Sequence, residues 1–181
     1  MKTNFFFFVL FISIFFSSCK DDKATNALDA VNDVKNEDSF KVTLELIAKK
    51  DGDFRLYYTE DGTINFKDNP VFKDVKGSEI VQQVVYNLPG GIYPTEFRLD
   101  FGFEKNQEEV ILKSVTFEYK GKKRSLVGAD MVGFFREDGS KCTFDAKTGS
   151  IKAIVKDGIS QSLSLYPHEE NLMKELTALA K

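Results

Sequence analysis

The sequence predicts an all-β protein, an antiparallel β-sandwich with one C-terminal amphipathic helix. Three observations carry that expectation. From residue 40 onward, apolar side chains recur at every second position, the period of a strand with one buried face. Turn pairs such as Asp51-Gly52, Asp61-Gly62, Lys120-Gly121, Asp138-Gly139 and Asp157-Gly158 interrupt these runs, and short strands spaced by roughly 8 to 12 residues pack as sandwiches or barrels. Residues 168–180 change period, with Leu172, Leu176 and Leu179 recurring as on one face of a helix.

In chain order, Phe40, Val42, Leu44 and Leu46 share one face against Lys41, Thr43 and Glu45, so the domain begins here. Asp51-Gly52 supplies the positive backbone angles of a tight turn. Phe54, Leu56 and Tyr58 then alternate with Arg55, Tyr57 and Thr59, and residues 40–60 read as a hairpin. Residues 63–77 are irregular, with Phe66, Val71 and Phe72 as plugs into the core. Residues 80–88 are apolar on both faces, which predicts a central strand covered on two sides, and Pro89-Gly90-Gly91 ends it. The cleanest alternation follows, with Phe97, Leu99, Phe101 and Phe103 inward and Glu96, Arg98, Asp100 and Gly102 outward. In residues 110–119, Ile111, Val115, Phe117 and Tyr119 are in phase while Lys113 is out of place, which predicts a β-bulge at residues 112–114. Shorter strands are expected at 131–135, 141–144, 151–155 and 161–166. Pro167 suits the first helical position and Glu169 with Glu170 suits the positive end of a helix, placing that helix at 168–180.

Ahead of the domain, an apolar run over residues 5–16, broken only by Ser13, follows Lys2 and ends in Ser17, Ser18 and Cys19. A basic start, an apolar core of about a dozen residues and small residues before the cut form a secretory signal, too short to span a membrane comfortably. Ser17-Ser18-Cys19 resembles the lipobox of bacterial lipoproteins, with Phe16 where that motif usually carries an aliphatic residue. The resemblance implies removal of residues 1–18, a diacylglycerol on Cys19 and attachment to a membrane through that lipid. Lys20-Asp21-Asp22 is similar to the Lys-acidic-acidic signal that exports lipoproteins of Bacteroidota, which implies the outer membrane and its outer face as the location. Residues 19–39 are rich in Asp, Asn and Lys and hold no aromatic residue. Such a stretch cannot bury enough to fold alone and reads as a flexible tether, with a helical turn at 27–34 as the alternative. The sandwich domain then covers residues 40–181.

The chain has 181 residues and a formal net charge of −3. Without signal and tether about 140 residues remain, enough for one domain with a sizeable core. The basic cluster Lys120, Lys122, Lys123 and Arg124 is too short to track a phosphate backbone and reads as a solvated turn, so nucleic acid is not an expected partner. With Cys19 lipidated, Cys142 has no intramolecular partner and reads as a small buried hydrophobe.

Nucleophilic catalysis would have to use His168, which starts the predicted helix with no Gly-x-Ser-x-Gly elbow before it. Zinc sites draw on more His and Cys ligands than remain. No cofactor is expected. Asp51, Asp53, Asp61 and Asn65 offer loop oxygens to calcium, yet the turn preference of Asp and Asn accounts for them and no EF-hand loop is present. The acids that glycoside hydrolysis would use read as solvated surface. One constellation remains: Arg98 and Asp100 stand two apart on one polar face, and Arg55 and Tyr57 on another. Pairing of these strands sets an aromatic plate beside charged hydrogen-bonding groups, which together can stack a pyranose and bind its hydroxyls. The plainer reading is a cross-strand Arg–Asp pair on a solvated sheet face.

Tyr57-Tyr58, Leu88-Pro89, the strand at 97–102 and the apolar strand at 111–117 resemble the jelly-roll sandwich modules of the galactose-binding-like and carbohydrate-binding type. The resemblance implies a jelly-roll-like sandwich, a fold that hosts binding, adhesion and scaffolding alike. The leading function is a surface-tethered, non-catalytic binding or interaction module, with glycan or envelope polymer as the ligand class. Two other functions stay open. One is a structural or accessory lipoprotein that docks to another envelope protein through a sheet edge or the C-terminal helix; the other is a hydrolase of weak signature.

Overall fold

The computed structural model describes residues 39–67, 70–102 and 107–181. The signal run, Cys19, Lys20, Asp21, Asp22, nearly all of the tether and Phe103 lie outside the described residues. The first half of the domain holds β1 (Lys41–Ala48), β2 (Gly52–Thr59), β3 (Val71–Val75), β4 (Gln82–Asn87), β5 (Glu96–Phe101) and β6 (Glu109–Tyr119). The second half holds β7 (Lys122–Val127), a 3-10 turn over Gly128–Gly133, β8 (Phe135–Glu137), β9 (Cys142–Asp145) and β10 (Ser150–Ala153). A ribbon of β11 (Val155–Lys156) and β12 (Ile159–Ser160) leads into β13 (Leu163–Pro167) and the helix α1 (Glu169–Ala180).

These strands form a sandwich of two antiparallel sheets. The first runs β4-β1-β6-β10-β9 with β7 also paired to β6, and the second runs β3-β2-β5-β13-β8. The predicted stripes meet between them: Val42, Leu44, Leu46 and Ala48 from one sheet and Phe54, Leu56, Phe97, Leu99 and Phe101 from the other are buried in one core. Phe97 and Phe117 stack across it, with ring centroids 5.6 Å apart and planes 9° from parallel. Aromatic rings bury about 150–250 Å² each, which lets a domain of this size reach a sufficient core without tryptophan.

Residues 40–60 are not a hairpin. β1 pairs with β4 and β6, while β2 pairs with β3 and β5 in the opposite sheet. The corner between them is tied elsewhere: the Asp51 carboxylate accepts from Lys76 Nζ at 2.7 Å and from the Gly77 N–H at 2.8 Å. The Ser78 N–H then donates to the Ala48 carbonyl at 2.7 Å. Two chain crossings, β1 to β2 and β3 to β4, therefore nest against each other. Residues 80–88 likewise do not form a central strand, because among the described residues β4 pairs only with β1 and is an edge. Val84 and Tyr86 face inward there, while Ile80 is 75 % exposed. Part of the stretch 63–77 is ordered as β3, which buries Val75 and leaves Phe72 63 % exposed rather than plugged into the core.

The bulge falls where the sequence placed it. Glu45 faces Ser114 but Leu46 faces Leu112, so Lys113 is the extra residue. An inserted residue reverses the alternation, so Val110 and Leu112 are buried before it and Val115 and Phe117 after it. Ile111 is consequently half-buried on the other face, not in phase with Val115. The basic cluster is more than a turn, since Lys122, Lys123 and Arg124 belong to β7 in a hairpin with β6. Residues 131–135 enter β8 through the 3-10 turn instead of forming a strand throughout, and the expected strand 151–155 divides between β10 and the ribbon.

Helix α1 buries Leu172, Leu176 and Leu179, and it packs against β5 of one sheet and β6 and β7 of the other, so it caps one end of the sandwich. The Tyr93 hydroxyl donates to the Leu176 carbonyl, and Arg124 pairs with Glu175 at 3.2 Å. Pro167 ends β13, and His168 takes the N-cap position in an extended conformation. The proline thus finishes a strand two residues ahead of the helix.

Candidate functional site: the outer face of the second sheet

The predicted binding residues are brought together. β2 and β5 are neighbours, with Arg55 opposite Asp100 and Tyr57 opposite Arg98. The ion pairs, however, run along each strand and not across them. Arg98 donates through Nε and Nη2 to the two oxygens of Asp100 at 3.0 and 2.7 Å. Arg55 donates through the same two nitrogens to Asp53 Oδ2 at 3.0 and 2.6 Å. Such two-point contacts are stronger and more directional than single ones.

Three residues that sequence reasoning did not assign complete the face. The Arg98 guanidinium carbon lies 4.0 Å from the Tyr57 ring centroid and 5.4 Å from that of Tyr166 on β13. The Arg136 guanidinium carbon on β8 lies 5.6 Å from the Tyr166 ring centroid. The result is a ladder across four strands, Tyr57, Arg98, Tyr166 and Arg136, in which rings and guanidinium groups alternate. Phe66 lies over it as well, 5.8 Å from Arg98. The face is drier than expected, with the Arg98 and Asp100 side chains only 18 % and 14 % exposed. Burial works against the charge on Arg98, and the hydrogen bonds and charge of Asp100 outweigh it and hold the guanidinium protonated.

The chain matches no protein-family model, no curated protein and no solved structure.

The alternation of Leu163 and Leu165 already turns Tyr166 outward, and Phe135 does the same for Arg136. What no local pattern reveals is that β13 and β8 continue the sheet beyond β5. Of the outward residues on β5, Glu96 departs from expectation because it is fully buried and, among the described residues, neither carboxyl oxygen has a partner. Burial, and after it the charge of Glu169, pushes this carboxyl up to about 7.

The loop oxygens considered for calcium are drawn apart. Asp51 is taken by Lys76 and Gly77, Asp53 by Arg55, and Asp61 by the N–H and hydroxyl of Thr63 at 3.0 and 2.8 Å. Among the described residues no three of His, Cys, Asp and Glu converge as a metal site. Cys142 is fully buried, with Sγ 3.4 Å from the Ser164 carbonyl, and burial pushes its thiol up. A second concavity, about 440 Å³, opens on the outer face of the first sheet between Glu109, Ile111, Thr143, Asp145, Thr148, Ser150 and Lys152. Much of its polar chemistry is spent internally: Ser150 and Lys152 hold Glu109 at 2.6 and 3.5 Å, and Thr148 holds Asp145 at 3.0 Å.

Proposed function

We propose that this chain is a lipid-anchored, non-catalytic binding module of a bacterial envelope that takes a glycan on the outer face of its second sheet. The observation that carries the reading is the ladder of Tyr57, Arg98, Tyr166 and Arg136. Rings stiffened by guanidinium stacking offer apolar surface to the C–H face of a pyranose at little entropic cost, while guanidinium and phenol groups at its margin bond to hydroxyls. Arg136 is exposed and, among the described residues, has no carboxylate partner, which leaves its donors for a ligand. The tether and the lipid on Cys19 would hold this face at the outer membrane.

An array of envelope and dietary glycans probed with the purified protein tests the reading. For a glycan that binds, Tyr57→Ala and Arg136→Ala should each weaken the complex by about 1 kcal/mol or more, on the scale of aromatic and cation–π contacts. Leu99→Ala is the control for core damage, expected to cost about 2–5 kcal/mol of stability. Affinities unchanged in both face variants would remove the site.

A second reading has one observation in its favour. Ile80 and Val81, exposed beside the edge strand β4, suit docking of another envelope protein by strand addition. Stoichiometric recovery of one protein partner, lost in Val81→Lys, would favour it. Docking through α1 is disfavoured, because its apolar stripe is spent on the domain's own core.

A further inference from the structure

Between β2 and β3, residues 60–66 cross the outer face of the second sheet as a strap with few holds. The Gly62 N–H donates to Thr95 Oγ1 at 3.0 Å, and Glu60 Oε1 accepts the Tyr93 N–H at 3.0 Å. Phe66 lies over Arg98 and Tyr166. A Cβ on Gly62 would stand 3.6 Å from the sulfur of Met173, so the strap adjoins α1. Glu96 sits where strap, sheet and helix meet: it is opposite Thr59 at the end of β2, follows Thr95, and begins the strand on which α1 packs. It is fully buried and, among the described residues, both its oxygens are unpartnered. A carboxyl in that position avoids the cost of a buried charge by keeping its proton.

We infer that Glu96 is a protonation latch: neutral, it lets the strap and the first turn of α1 close over the sheet, and its ionisation releases them. Among the described residues no side chain bonds to its oxygens. Arg98 on the same strand is committed to Asp100, Glu60 and Asp61 on the strap are acids, and α1 begins with His168, Glu169 and Glu170. With the carboxyl pushed up to about 7, the latch works in the neutral range. The sign follows from a folded value above the ordinary 4.5. The contribution to closure is complete below the ordinary value and is lost as pH rises through the folded one. Release would lift Phe66 from Arg98 and Tyr166 and so uncover the ladder. The latch itself rests on the surroundings of Glu96 and holds whether or not that face takes a glycan.

Hydrogen–deuterium exchange on the full chain without ligand, corrected for the intrinsic pH dependence of exchange, tests it. Opening of peptides over residues 59–67 and the first turn of α1 should increase by about an order of magnitude between pH 5.5 and 8. In Glu96→Gln, which keeps the shape of the neutral acid, protection should be the same at both. Glu169→Gln, altered at an exposed position, should shrink the wild-type change because it removes a like charge. Wild-type protection that is equal at the two pH values, or a loss that persists unaltered in both variants, would overturn the latch.

Discussion

Asp138 shows how one side chain can fix a crossing between sheets. It follows β8 and precedes β9, which lie in different sheets. One carboxylate oxygen accepts the Ser140 N–H at 3.1 Å and hydroxyl at 2.7 Å, and the other accepts Lys141 Nζ at 2.9 Å. Its carbonyl takes the N–H groups of Lys141 and Cys142. Lys141, ahead of Ser140, holds the carboxyl down at about 2 against an ordinary 3.8. A folded value below the unfolded one stabilises the fold above the ordinary value and is lost as pH falls toward 2. A shift of this size corresponds to about 2 kcal/mol. Asp138→Asn should therefore lower stability at neutral pH by about that amount and flatten the acid limb below about pH 4, as read by denaturant titrations at a series of pH values.

At the scale of elements, the nested crossings decide the architecture. Gly77 is where they touch: a Cβ there would stand 2.6 Å from the Lys49 carbonyl oxygen, closer than real Cβ atoms approach backbone. The nearby bonds from Asp51 to Lys76 and Gly77 leave little room for the corner to move. Gly77→Ala should cost about 1–3 kcal/mol, as overpacked sites do, with the denaturant slope unchanged because the fold stays the same. A stability equal to wild type would show that the corner yields freely.

The sandwich domain, taken as a whole, has two distinct ends. The chain enters at Phe40, whose carbonyl accepts the Leu88 N–H and whose ring packs on Tyr93 and Tyr119 at the end capped by α1. The β11–β12 ribbon follows Ala153, which bonds to Glu108 at the start of β6 and so at the opposite end. The ribbon, with exposed Val155 and Ile159, thus lies at the end of the sandwich away from Phe40 and α1. Stable anchoring takes more than one acyl chain, since a single chain holds a protein only marginally. Cys19→Ala should abolish labelling by a fatty-acid analogue and move the protein from the membrane to the soluble fraction. Labelling retained in that variant would exclude lipid on Cys19.

Neighbours two or four residues apart set much of the local structure. The inward stripes of β1, β2 and β5, the bulge at Lys113 and the span of α1 all follow from local spacing, because side-chain direction in a strand or helix is set by the residue's own backbone. The same spacing places Arg55, Tyr57, Arg98 and Asp100 on outward faces. Which strands meet is settled by long-range packing. Asp51-Gly52 has the chemistry of a hairpin turn, yet β2 pairs with β3 and β5 in the other sheet, and Asp51 is tied to Lys76 and Gly77 instead. The apolar run at 80–88 looks central and becomes an edge, and Glu96 looks exposed until strap and helix close over it. Tyr166 and Arg136 join the ladder although 68 and 38 residues separate them from Arg98 (166 − 98 and 136 − 98). Pairing is chosen by the sum of long-range contacts across the core, and period-two alternation is the same whichever partner a strand takes.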